Sequence, residues 1–252
     1  DKQYLHEATQ AGLCAYHDEV MTCSADYTSL AIRFAPELSP RVALDEIPDA
    51  VLGMSDYFIC ETSFPAGTVA ENTASSVQRI EQVGRWSAST GVPAFIAHPF
   101  RSSVNYRLVK RTIEAWVTQL APRPDGDFSA DELSRFFLLD VKARGAASAA
   151  FGVPLEVNGN THYRLLCSNL PATMEMFYSA YRLLGAQGAT FVPGSDQHSF
   201  RRSVGRVGSY VPVDVFRAMG VGIADLPFLA RIGVEPGDGE AKEEERGDMS
   251  PR

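Results

Sequence analysis

The chain lacks paired cysteines. Cys14, Cys23, Cys60 and Cys167 are scattered along 252 residues. No Cys-x-x-Cys occurs, so neither a zinc knuckle nor a disulfide framework is indicated, and each thiol reads as reduced and buried or half-buried. No apolar run approaches the roughly 20 residues of a membrane span. Residues 1–30 lack the basic start and long apolar core of a signal peptide, which makes the cytoplasm the expected location. No Gly-x-Gly-x-x-Gly or Gly-x4-Gly-Lys-Ser/Thr loop is present to cradle a nucleotide, and no Gly-x-Ser-x-Gly elbow is present to expose a serine nucleophile. Basic charge is also short. The net charge is -8, and residues 235–252 hold seven acids against three bases. The body is therefore only mildly acidic, which disfavours a broad nucleic-acid-binding face. A local basic pocket for a phosphate is still compatible with it.

What is present alternates between short apolar runs and helical periods. A helix is expected over Lys2–Gln10, ending at Gly12, then a buried strand over Leu13–Tyr16. Residues 22–50 carry Pro36, Pro40 and Pro48 and read as a loop with a short strand around Leu30–Phe34. Strands are expected in Asp56–Phe64, Val92–Ala97, Val153–Val157, Phe191–Gly194 and Val207–Val211. Helices are expected from Asn72 to Thr90, through Val109–Leu120, from Ser129 to about Ala150, and over Pro171–Leu184, Val213–Met219 and Ala224–Ile232. Ser129 with Glu132 three residues on is a capping-box pattern. Beyond Gly233 the Gly-, Glu- and Lys-rich tail, 234–252, has no apolar period and is expected to be disordered. Strand–helix alternation without two-residue hairpins argues for a mostly parallel sheet. Five or six such units over 1–233 suit a barrel better than an open sheet.

Barrel enzymes carry their chemistry at the C-terminal strand ends. The polar clusters fall at such ends: His17–Glu19, Glu61–Ser63, His98–Arg101, Glu156–Asn160 and Ser195–Ser199. Asp196 and His198 are two residues apart, so in extended backbone both point to one side. A carboxylate and an imidazole are good ligands for zinc, manganese or iron. The candidate metal ligands are His17, Glu19, Glu61, His98, Asp196 and His198, with His98, Asp196 and His198 closest to the chemistry. Glu156 and Asn158 suit direct ligation or a role behind the ligands equally well. Arg101 and Arg201 are the candidate phosphate forks. Arg164 and Arg202 lie near the same ends, and His6 and His162 read as surface or structural.

AHPFR (97–101), LEVNGN (155–160) and GSDQHS (194–199), followed by Val204–Gly205 and FRAMG (216–220), resemble the later motifs of the PHP family, the polymerase and histidinol phosphatase metallohydrolases. The likeness covers roughly 90–225. It implies a distorted (β/α)7 TIM-like barrel, two or three zinc, manganese or iron ions, and hydrolysis of a small phosphorylated substrate, with His98, Asp196 and His198 metal-associated. GLCAYHDE (12–19) resembles the segment that in the family ends Asp-His, and here Glu19 takes the histidine's place. DYFICETSF (56–64) resembles a strand ending in histidine, and here Ser63 stands there. The family's opening His-x-His does not occur in this chain. These departures keep two alternatives open: a catalytically inactive binding or regulatory domain, and a metal-dependent hydrolase or lyase of a non-phosphate substrate.

Overall fold

A computed structural model describes residues 7–25, 33–62, 67–100, 128–166, 171–194 and 213–233. Its centre is one parallel sheet of five strands: β1 (Glu37–Leu38), β2 (Phe58–Cys60), β3 (Ala94–Ile96), β4 (Leu155–Asn158) and β5 (Phe191–Gly194). Their spatial order is their chain order, β1-β2-β3-β4-β5. Each crossover therefore steps one strand along in the same direction. Right-handed crossovers of this kind put the connecting helices on one face of the sheet.

That face is the apolar one. Leu38, Phe58, Cys60, Ala94, Ile96, Leu155, Val157 and Phe191 alternate along the strands and all join the main core. Against them lie α3 (Val69–Thr90), α5 (Val141–Phe151) and α7 (Pro171–Ala186), with α3 packed on α5 and α5 on α7. The opposite face takes the intervening residues. Ile59, Phe95, Ala97 and Val192 meet Phe228 of the short α9 (Pro227–Arg231) in a smaller apolar cluster. On β4 the residues between the core positions are Glu156 and Asn158, both buried. A buried carboxylate must be hydrogen-bonded to be tolerated, so this face is the one to inspect for a site.

The caps follow from the sequence. Thr68 and Glu71 make a capping box at the start of α3, and Gly91 closes that helix at φ 75. Ser129 and Glu132 make the expected box at the start of α4 (Ala130–Phe137). The helix expected to continue to Ala150 instead breaks at Leu138, which sits at φ 56. It restarts as α5, where Asp140 accepts from the Ala143 amide at 3.1 Å. Two side chains of α3 hold the break: Asn72 Nδ2 donates to the Leu138 carbonyl at 2.9 Å, and Thr73 Oγ1 accepts from the Asp140 amide at 2.8 Å.

Other expectations need correction. Residues 7–24 form one helix, α1 (Glu7–Ser24), not a helix and a strand. It runs through Gly12, a cost of about 1 kcal/mol relative to alanine. Leu13, His17, Val20 and Ser24 are half-buried at helical spacing, a period that a strand would not give. Of the strand expected around Leu30–Phe34, residues 30–32 lie outside the described residues and 33–34 carry no strand; the two-residue β1 lies between Pro36 and Pro40, followed by a 3-10 turn (Leu44–Glu46) and α2 (Asp49–Met54). Cys23 is exposed rather than buried. His162 lies in α6 (Gly159–Leu166), not in a loop, and is buried. The last helix divides into a 3-10 turn (Ile223–Asp225) and α9, with Pro227 opening the latter, after α8 (Val213–Ala218). The expected helix over 109–120, the strand over 207–211 and the acidic tail lie outside the described residues. No described helix is long and apolar enough to cross a membrane.

Candidate metal centre

Three donors meet along three successive strands. Glu37 stands on β1, Glu61 directly follows β2, and His98 lies two residues beyond β3. Register explains the first two. Glu37 pairs with Ile59, so it shares the inner face with Ile59 and, two residues on, with Glu61. His98 should not join them. Ile96 faces the helices and Ala97 the inner side, so strict alternation would turn His98 outward. Its backbone instead enters the left-handed region at φ 27, which breaks the alternation and brings the ring inward. Such a conformation is costly for a residue with a Cβ and persists only where the surroundings enforce it.

Those surroundings are identifiable. The Ala97 amide donates to the Cys60 carbonyl at 2.9 Å, as in a regular ladder. At His98 the ladder ends, and its amide donates to the Glu156 carboxylate. The same oxygen, Oε2, accepts from Asn158 Nδ2 at 3.0 Å. Asn158 Oδ1 in turn accepts from the Thr161 amide at 2.7 Å, which caps α6. The other Glu156 oxygen lies against Gly194, where any Cβ would overlap it. Glycine at the end of β5 is therefore required by the carboxylate next door. Tyr181 Oη holds the Glu156 carbonyl at 2.6 Å.

Two buried arginines secure the same ends from behind. Arg79 donates to the carbonyls of Glu61, Val42 and Ser39 at 3.3, 3.2 and 3.2 Å, tying the exit of β2 to the segment after β1. Arg144 donates to the Pro99 carbonyl and to Thr62 Oγ1 at 3.0 Å. Its guanidinium lies 5.9 Å from the Phe100 ring centre. Burial pulls the Arg144 guanidinium down to about 10, partly offset by Tyr181. Burial also lowers Arg79. Neither arginine belongs to the donor cluster. Each fixes backbone that carries a donor.

His98 Nε2 lies 3.2 Å from Glu37 Oε1 and 3.2 Å from Glu61 Oε1. One donor atom from each of the three residues falls within 4.8 Å of the others. A ring nitrogen carries at most one proton and cannot make two linear bonds to two carboxylates. Two ligands on one zinc-class ion at about 2.0–2.2 Å stand about 3–3.5 Å apart, which the spacing matches. The donor set, one imidazole and two carboxylates, suits zinc, manganese or iron. His98 is nearly buried while Glu37 remains 38 % accessible, so the centre is closed behind and open in front.

Of the six ligand candidates, the structure brings Glu61 and His98 together. His17 and Glu19 ride on α1, where the His17 ring meets Phe34 edge-on at 5.2 Å and its Nδ1 lies 3.2 Å from Asp18. Neither is part of the three-donor cluster among the described residues. Asp196, His198, Arg101 and Arg201 lie outside the described residues, as does Ser63. Glu37 was not foreseen. Its signal was an acid between two prolines in a stretch without period, too short to read as a strand. Compared with protein-family models, with curated proteins and with solved structures, the chain finds no match.

Proposed function

We propose that the protein is a metal-dependent phosphoesterase on a PHP-like barrel. The observation that carries this reading is the convergence of Glu37, Glu61 and His98 on one point at adjacent strand ends. The strictly sequential parallel order favours closure into a barrel, because among the described residues α3, α5 and α7 lie to one side and the other face is left to curl on itself. Glu37, Glu61 and His98 hold the first ion, and Asp196 and His198, which follow Gly194 within four residues, complete the ligand set. A divalent ion in such a set lowers the pKa of its water towards neutrality and neutralises phosphoryl oxygens.

The chain's own groups do the rest. Arg101, three residues beyond His98, binds the phosphate oxygens. Glu156 and the two buried arginines keep the donors fixed, so that ligands are already in place when substrate arrives. In the overall reaction the oxygen of water forms a new bond to phosphorus, the ester P–O bond breaks, and the water's proton ends on the departing alcohol. The test is metal analysis of the purified protein with turnover of 4-nitrophenyl phosphate in added manganese or zinc. Bound ion and turnover that both fall in Glu61→Gln are expected. Bound ion without turnover of any phosphate ester would favour a binding domain or a non-phosphate substrate. No bound ion would defeat the proposal.

A further inference from the structure

We infer that the substrate's leaving group is a compact, uncharged apolar moiety, aryl in the best case, seated on the inner face of the sheet beneath the metal centre. This rests on the phosphoesterase reading and names its substrate class. A cavity of about 430 Å³ runs along that face, and His98 and Glu37 line it. Small-molecule pockets span about 300–1,000 Å³, so the space suits one modest group. Below the donors its walls are Ile59, Phe95, Val192, Leu229 and Ile232, with Tyr57 and Phe228.

Three of those walls pack into one aromatic cluster, with Phe95 and Phe228 buried in the contact and Tyr57 half-buried at its edge. Phe95 meets Phe228 edge-on at 5.4 Å, Tyr57 meets Phe228 edge-on at 5.6 Å, and Tyr57 lies 5.9 Å from Phe95. Aromatic rings accept further rings in offset or edge-on contact. Ala97, which lines the cavity beside His98, is small. Gly194 must stay so for Glu156.

Charge orients the ligand. No lysine or arginine lines this cavity among the described residues, and its acidic members are Glu37 and Glu156. The Glu156 carboxylate already accepts from the His98 amide and from Asn158. These two carboxylates disfavour an anionic phosphate inside, which places it at the rim with the cation, and with Glu37 committed to the ion and Glu156 to its two donors the end that enters is uncharged. Burying an apolar group there gains about 25 cal/mol per Å², so specificity comes from the alcohol rather than from the phosphate.

The test separates this inference from the reading beneath it. Fluorescence titration of 2-naphthol into metal-free protein measures the apolar seat alone. Saturable binding is expected, weakened about tenfold or more in Leu229→Trp, with Ile59→Phe as a second blocking variant. Metal-loaded protein is then given 2-naphthyl phosphate and glycerol phosphate. A kcat/KM ratio of at least about tenfold for the aryl ester over glycerol phosphate, falling towards one in Leu229→Trp and in Ile59→Phe, is expected. Naphthol binding without turnover of either ester would keep the apolar seat and overturn the phosphate chemistry. Turnover of glycerol phosphate with no naphthol binding would overturn the apolar seat alone. Tighter binding of benzylamine than of naphthol would overturn the uncharged assignment.

Discussion

The two faces of the same sheet follow different rules. On the helical face the buried strand residues are apolar and join one core: Phe58, Cys60, Ile96, Leu155, Val157 and Phe191. On the inner face the strands begin apolar, with Ile59, Phe95 and Val192, and end in Glu61, His98, Glu156 and Gly194. The first face is explained by burial alone. The second carries carboxylates close together, a histidine in a left-handed backbone and a glycine forced by a neighbour's side chain. None of these is the cheapest way to fill a sheet. The difference assigns stability to the outer face, while the upper inner face carries the groups that could hold an ion.

Substitutions should separate the two. Phe58→Ala, at a fully buried position edge-on to Trp86, is expected to cost about 3–5 kcal/mol in urea unfolding at unchanged slope. A smaller loss with weakened ion binding would blur the contrast. Gly194→Ala is expected to cost about 2–3 kcal/mol, because its Cβ displaces Glu156, and also to weaken ion binding. Stability lost with ion affinity intact would show that Glu156 does not govern His98.

Glu156 itself allows a finer cut. Glu156→Gln keeps an oxygen for the His98 amide and for Asn158, so manganese affinity should fall by less than about threefold. Glu156→Ala removes the acceptor and should lower it about tenfold or more. Equal losses in both variants would make Glu156 a ligand rather than a positioning residue. The smallest effect concerns His162, far from the donors in sequence and held by Tyr178 Oη at 3.3 Å. Burial lowers its pKa from 6.5. The unfolded chain therefore binds the proton more readily, and this contribution to stability is present above pH 6.5 and lost as pH falls through the depressed value. His162→Asn should flatten the acid side of the stability profile. An unchanged slope below pH 6.5 would remove His162 from the account.

Much of the outer face was legible. Apolar runs located β2 to β5, the capping box at Ser129 and the C-terminal glycine of α3 were read from side-chain chemistry, and Glu61 and His98 were placed at strand ends. The misses have physical causes. α1 was divided because Gly12 reads as a stop, whereas long-range packing of Leu13 on the core carries the helix through it. Glu37 escaped because two residues between prolines give no period. The break at Leu138 is held by Asn72 and Thr73, more than 60 residues away in the chain, which local pattern cannot report. The inward turn of His98 depends on Glu156, another strand's side chain, and no spacing in AHPFR encodes it.

The central claim is that Glu37, Glu61 and His98 form one cation site. Calorimetric titration of manganese or zinc into metal-stripped protein tests it most directly. The wild-type chain, His17→Ala and Glu19→Ala should saturate with equal affinity, while Glu37→Gln, Glu61→Gln and His98→Ala should each weaken binding at least about tenfold without loss of fold by circular dichroism. Undiminished binding in Glu61→Gln and Glu37→Gln, or its loss in His17→Ala, would contradict the account.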